Sequence, residues 1–295
     1  MDRVIFEIIT PPETWAPQKV DEWAQRICDI LKRHSLRYLN IPEVVNETRD
    51  GDRRVRYIPK MDNVSFAKVL ARTCPGAVPV LNKISVRIPR PEFEAWVQKV
   101  YEQGVRHFVI VGGELPDYPY PGYTVSEAAS LIKRSFKDAK VGGITIFTRP
   151  HEAERIAAKI EAGMDFFVSQ IIFETANLKH VLIELDKILP QSSLDAQARF
   201  PDIYVSLAPA ARIRDIEFMM WLGVEIPSAI LAYLAKDDEE VEERTFEINM
   251  RVQEEIFEFI SKKGYRLGFN VEHVIYTNLG LSERLVDEIT ERMGR

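Results

Sequence analysis

The first strand-like run of this chain, VIFEII at residues 4–9, holds a single carboxylate, Glu7, between Phe6 and Ile8. A charge among apolar neighbours is costly unless it is paired, protonated or turned toward a cavity. An apolar surround disfavours the charged form and raises the pKa, which suits such a group to general-acid work near neutrality. The opposing expectation is that Glu7 pairs with a buried Arg or Lys and only fixes the rim of the fold. The run FFVSQIIFE at 166–174 poses a related problem, because Gln170 sits in a segment otherwise built for a dry core. A primary amide has donors and an acceptor, so Gln170 would either lie at the open end of the fold, where it could meet a ligand, or bridge two strand ends as a satisfied core amide. Glu114 follows Gly112-Gly113, which would let the backbone approach a ligand closely; its alternative is an exposed loop carboxylate. Asn82, Phe147, Thr148, Thr277 and Asn278 also fall near the ends of β-rich runs, and the loop DYPYPGYT (117–124) could cover a flat ligand.

These side chains need a frame to bring them together. Short β-rich runs occur at 4–9, 38–41, 77–84, 107–113, 141–147, 166–172, 202–208 and 272–278, and helical patterns separate them. In the helical stretch 17–34, Val20, Trp23, Ile27, Ile30 and Leu31 share one face at three- and four-residue spacing. A longer amphipathic helix is expected over 238–263. Strand-plus-helix units whose strands are apolar on both faces are what a parallel barrel requires. The expected architecture is therefore α/β: a single (β/α)8 TIM barrel over residues 1–295, with an extra long helix before the last strand. An open doubly wound sheet is the alternative, but the sequence has neither GxGxxG nor GxxxxGK[ST]. In a barrel, chemistry collects at the C-terminal ends of the strands, which is where Glu7, Asn82, Glu114 and Gln170 would lie.

Composition excludes several partners. The 295 residues are 46% hydrophobic with a formal net charge of −6, and Lys and Arg are interspersed with acids rather than blocked. A nucleic-acid or anionic-membrane surface is thus not expected. There is no apolar run of about 18 residues, and Asp2, Arg3 and Glu7 interrupt any leader, so a cytoplasmic location is expected. Cys28 and Cys74 have no C-x-x-C or His neighbours, so neither a disulfide framework nor a zinc site is expected, and Cys28 reads as a core residue. Surplus apolar surface on the 238–263 helix leaves room for a homo-oligomer or a partner subunit.

Four segments, in order, resemble the methylenetetrahydrofolate reductase family, a flavoprotein barrel of one-carbon metabolism. FEIITPP (6–12) looks like that family's F-E-F-F-P-P strand, and GVRHFVIVGGELP (104–116) is similar to its G-I-x-x-I-x-A-L-R-G-D-x-P segment. KIEAGMDFFVSQIIFE (159–174) resembles K-x-x-A-G-A-x-x-x-I-T-Q-x-F-F-D and is the most specific of the four. VSLAPAARIRDIEFMMWLGVEIP (205–227) is a weaker likeness to the P-G-I-x-P-I region and its later C-G-V-x-I-P.

The resemblance implies an oxidoreductase that passes hydride from NADH or NADPH through FAD to 5,10-methylenetetrahydrofolate, or a related methylene-pterin. Glu7 would be the general acid that assists opening of the five-membered ring. Gln170 and Glu114 would hold the pterin. Asn82 and Phe147 would contact the flavin ring, and Glu152, Arg155 and Lys159 would lie near the FAD ribose and phosphates. The last three share a helix face by their i, i+3, i+7 spacing, as a solvated face also would. The chain departs from the family mostly at its phosphate segments: Gly112-Gly113-Glu114 replaces R-G-D, TRPHEAER (148–155) shortens the P-E-x-H-P region, and IPEVVNE (41–47) replaces T-Y-G-A. Two other readings remain open, a pterin-binding subunit without redox activity and a Schiff-base barrel lyase using Lys83 or Lys159.

Overall fold

Alternation along each strand decides which side chains enter the barrel and which meet the helices. In the first strand Phe6 and Ile8 are fully buried in the outer core between sheet and helices, while Ile5 belongs to a second, inner cluster. Ile5 and Glu7 therefore point into the ring. The computed structural model describes the chain apart from residues 48, 50, 52, 54, 114–117, 190–199, 264 and 294–295, and of 261–263 it describes the backbone.

The strands are β1 (Val4–Ile8), β2 (Tyr38–Ile41), β3 (Val78–Ile84), β4 (His107–Val111), β5 (Lys140–Thr145), β6 (Phe166–Ile171), β7 (Asp202–Leu207) and β8 (Leu267–His273). They form a closed parallel barrel in sequence order, with β8 pairing back onto β1. Helices α1 (Pro17–Arg33), α2 (Asn63–Thr73), α3 (Arg90–Glu102), α4 (Val125–Ser135), α5 (Glu152–Glu161) and α6 (Ala176–Ile188) connect the first seven strands. Between β7 and β8 come α7 (Ile213–Trp221), α8 (Ser228–Leu234) and the long α9 (Val241–Lys263); α10 (Leu279–Arg292) follows β8. This is the (β/α)8 barrel expected from the alternating pattern. No described helix is long and apolar enough to cross a membrane.

The outer core repeats the logic of α1, whose Val20, Trp23, Ala24, Ile27, Ile30 and Leu31 are all buried. Each large aliphatic side chain buried in this way stabilises the fold by roughly 1.5–3 kcal/mol. Inside the ring, Ile5, Val80, Val109, Phe166, Val168 and Tyr204 make an apolar floor, on which the Tyr38 and His107 rings meet edge to face at 5.2 Å. Polar residues occupy the next inward positions of several strands toward the C-terminal end.

Three expectations are corrected. The last strand is not 272–278 but Leu267–His273, and Tyr276–Asn278 is a short 3-10 turn. Gly268 and Asn270 are poor strand formers in isolation. Their pairing with β1 and β7 overrides that preference, and Gly268 is required because a Cβ would come within 2.5 Å of the Arg3 carbonyl. Past His273 the chain turns instead so that Tyr276 stacks on Trp23 at 4.7 Å. The second correction is Cys28–Cys74, a disulfide with Cα atoms 5.4 Å apart that ties α1 to the end of α2. Their sequence separation of 46 carries no motif; only the packing of α1 on α2 brings them together. The third concerns the long helix. Its Phe257 packs on Phe269 at 5.6 Å and Phe259 on Tyr265 at 5.4 Å. The exposed large apolar side chains among the described residues lie elsewhere, on α6 (Ile183, Ile188), on α7 (Met220) and in loops (Ile58, Tyr118).

Candidate functional site

The strand register places a second carboxylate beside Glu7. Glu7 of β1 is level with Asn40 of β2 on one side and with Glu272 of β8 on the other. Paired residues of a parallel sheet face the same way, so all three project into the barrel mouth. Asn40 Nδ2 donates to Glu7 Oε2 at 2.5 Å, and Asn270 Nδ2 donates to the same oxygen at 3.0 Å. Asn270 also approaches Glu272 Oε1 at 3.4 Å and Ser206 Oγ at 2.9 Å. Asn40, Ser206 and Asn270 are buried, while the two glutamates are partly open to the mouth.

Burial pushes the Glu7 carboxyl up from 4.5 to about 7, against the opposing hydrogen bonds from Asn270 and Asn40. Glu272 is raised well above the ordinary carboxylate value, by burial first and then by the charge of Glu7. Carboxyls this close cannot both ionise cheaply, so the pair titrates as a unit and holds a proton near neutrality. The buried Arg or Lys partner considered for Glu7 is not what the structure provides; the neighbours that influence it are amides and another acid.

Gln170 stands at the same end of the barrel, on the β6 side. The β6–β7 register slips between Val168 and Ile171, and Ser169 Oγ accepts the Ser206 N–H at 2.9 Å in the bulge. Bulges of this kind re-aim a side chain. Here Gln170 Oε1 accepts its neighbour's N–H from Ile171 at 3.1 Å, and Nε2 reaches the Leu222 carbonyl at 3.4 Å. Gln170 also lines a pocket of about 260 Å³ with Phe147, Thr148, Phe173, Asn177 and Glu225. Glu7 and Glu272 do not line that pocket, which is mostly apolar and lies beyond the ends of β5 and β6, against the turn between α7 and α8.

The remaining expected residues divide clearly. Asn82 projects inward one step above Val80, and Lys83 turns outward, paired with Glu43 and lying 5.4 Å from the Trp96 ring centre. Glu114 lies outside the described residues. Gly113 before it makes its close approach to Tyr120, whose ring a Cβ would meet at 2.3 Å, and not to open space. Thr148 donates to Glu225 at 2.8 Å, and Asn278 donates to Asp215 at 3.0 Å in a buried contact that joins the β8–α10 turn to α7.

Glu152, Arg155 and Lys159 do not form one ligand-facing surface. Glu152 is buried and accepts from Thr145 Oγ1 at 2.8 Å and from the Ile146 N–H at 3.1 Å. Lys159 Nζ donates to the Ile144 carbonyl at 2.7 Å, and Arg155 alone of the three is exposed. Two of the three are thus spent on closing the end of β5, and these three side chains together do not fit the ribose and phosphates of FAD. Among the described residues no cluster of His, Cys, Asp or Glu could hold a metal ion.

Asn40, Ser206, Asn270 and Glu272 were not singled out from sequence. The signal for the last two was the alternation F-N-V-E at 269–272, in which the apolar residues face the helices and the polar ones the barrel.

No family model and no curated protein matches the sequence. Among solved structures, a protein from Clostridium thermocellum described as binding two copies of 5-methyl-5,6,7,8-tetrahydrofolic acid superposes with a TM-score of 0.80. The two sequences are 20% identical, and the match covers 98% of this chain and 96% of the other. At that identity the likeness shows the shared barrel.

Proposed function

We propose that this chain binds a reduced folate at the C-terminal mouth of the barrel, with the Glu7–Glu272 pair holding a proton against the pterin ring. The observation that carries the reading is that pair: two neighbouring acids on adjacent strands, sharing the Asn270 amide, at the end of the barrel where such folds place their chemistry. A pterin presents an amino group and a ring N–H along one edge, and carboxylates and amide oxygens are the acceptors that match it. The pocket beside Gln170, with Phe147 and Phe173, suits the flat aminobenzoyl part of the molecule. The binding described for the Clostridium thermocellum protein, on the same barrel, supports the choice of ligand.

A finer reading, reduction of 5,10-methylenetetrahydrofolate to the 5-methyl form, rests on Glu7. A neutral acid at this position would protonate N10, so that the bond from N10 to the methylene carbon breaks and an iminium forms at N5. A hydride must then reach that carbon. FAD, NADH and NADPH belong to this reading as the expected donors. Pterin binding without redox activity is the simpler alternative.

Two measurements separate these readings. Titration of the purified chain with 5-methyltetrahydrofolate, followed by calorimetry, tests binding; absence of heat at saturating ligand ends the proposal. A visible spectrum of the protein, with anaerobic turnover of 5,10-methylenetetrahydrofolate by reduced flavin, NADH and NADPH, tests the reductase. Binding with no turnover by any donor ends the finer reading alone.

A further inference from the structure

The pocket beside Gln170 has a floor and a rim of different character. Phe147, Ile171, Phe173 and Leu178 are buried and form the floor, whereas Glu174, Asn177, Gly223 and Glu225 are exposed and stand at the rim. Its cavity of about 260 Å³ is smaller than the roughly 300–1,000 Å³ of clefts that enclose a whole ligand. A ring and the amide attached to it fit inside, and whatever follows them comes out past the rim. None of the described lining residues is basic. Arg49 comes against Gly223 but is paired with Glu47, and Lys179, further along α6, donates to Glu255 at 3.1 Å. Arg149 follows Thr148 but is exposed and does not line the cavity. The N-terminus of α6 also opens here, and Glu174 stands two residues before its first residue, Ala176. A full negative charge thus answers the roughly half charge of the helix end. Glu225 accepts from Thr148 Oγ1 at 2.8 Å, a contact that holds its carboxylate at the rim without neutralising it.

We propose that this rim selects the arm of the ligand by charge. Glu174 and Glu225 disfavour an arm that ends in glutamate carboxylates and favour one that continues in hydrogen-bond donors, such as amides, hydroxyls or an amine. The inference rests on the folate reading above, with the aminobenzoyl ring in this pocket. In a folate the glutamate follows that ring directly, so its two carboxylates leave the pocket past Glu174 and Glu225. Two like charges about 4 Å apart in water cost roughly fivefold in affinity, and each added glutamate brings another charge. An N–H or O–H in the same place meets acceptors instead, and a hydrogen bond to a carboxylate is among the stronger kinds. Discrimination of this sort comes from repulsion built against the wrong arm and leaves recognition of the pterin ring unchanged.

The test keeps the shape of the ligand and changes its charge. The full chain is titrated by calorimetry with 5-methyltetrahydrofolate, with its bisamide, in which both glutamate carboxyls are carboxamides, and with its triglutamate form. At low salt the bisamide is expected to bind at least about fivefold tighter than the diacid, and the triglutamate no tighter than the diacid. Raising the salt to about 0.5 M should narrow the gap, which a preference of shape would not do. Glu174→Gln and Glu225→Gln are isosteric changes at exposed positions, and the amide placed at 225 can still accept from Thr148. Together they should bring the ratio of affinities close to one. A diacid that binds as tightly as the bisamide, a triglutamate that binds more tightly than the diacid, or a ratio that the double variant leaves unchanged overturns the inference. Binding of 5-methyltetrahydrofolate in the same titrations keeps the folate reading standing in each of those cases. A chain that binds none of the three ligands ends that reading, and the inference with it.

Discussion

Replacing Glu7 with Gln removes one ionisation from the barrel mouth and leaves its shape almost unchanged. The amide oxygen of Gln can still accept from Asn40 and Asn270, the two donors that serve Glu7 Oε2. In the folded chain Glu7 titrates at about 7 instead of 4.5, chiefly because burial penalises its charge. That difference corresponds to about 3 kcal/mol of preference for the neutral acid. Because the folded value is the higher one, the stability that Glu7 contributes is fully present below about pH 4.5 and is lost as the pH rises through 7. Glu7→Gln escapes the loss. Its advantage over the wild type should grow from about 1 kcal/mol at pH 5 to about 3 kcal/mol above pH 8. Urea unfolding followed by circular dichroism between pH 5 and 9 measures this directly, provided the slopes agree. Glu272→Gln should shift stability in the same direction, since burial and the Glu7 charge both raise that group. The double variant should gain less than the sum of the two, because each single change already removes the repulsion between them. A stability difference that does not vary with pH would refute the account of the pair.

Other outcomes follow from particular contacts. Cys74→Ser, or a reductant, should lower stability by up to about 4 kcal/mol, given the 46-residue separation closed by the disulfide; identical denaturation curves with and without reductant would show that the bond does not form. Gly113→Ala places a methyl group against the Tyr120 ring and should cost about 1–3 kcal/mol in thermal unfolding, with Tyr120→Ser in the same chain recovering much of the loss. Borohydride trapping with carbonyl substrates should give no adduct at Lys83 or Lys159, because Lys83 is paired with Glu43 and Lys159 with the Ile144 carbonyl; a labelled peptide containing either lysine would revive the lyase reading.

Patterns of short range were readable without coordinates. Three- and four-residue spacing marked the buried face of α1, and the alternation of β-rich runs with helical stretches implied a closed parallel sheet. Glu7 stood out because its immediate neighbours are apolar, and a lone acid in such a run has few places to go. These features depend on residues within one or two helical turns of each other, where the backbone itself sets the geometry.

Tertiary structure decided what depends on distant partners. Residues 267–273 become the last strand because β1 and β7 supply the hydrogen bonds that Gly268 and Asn270 do not favour locally. That register is what sets Glu272 beside Glu7, 265 positions earlier in the chain, and makes an acid pair from two glutamates that look unrelated in sequence. The same holds for Cys28 and Cys74, and for Glu152 and Lys159, which share a helix face by spacing but are both bonded to the end of β5. The charge state of a carboxyl is set by solvent and neighbours within a few ångströms, and only closing the ring of strands determines which neighbours those are.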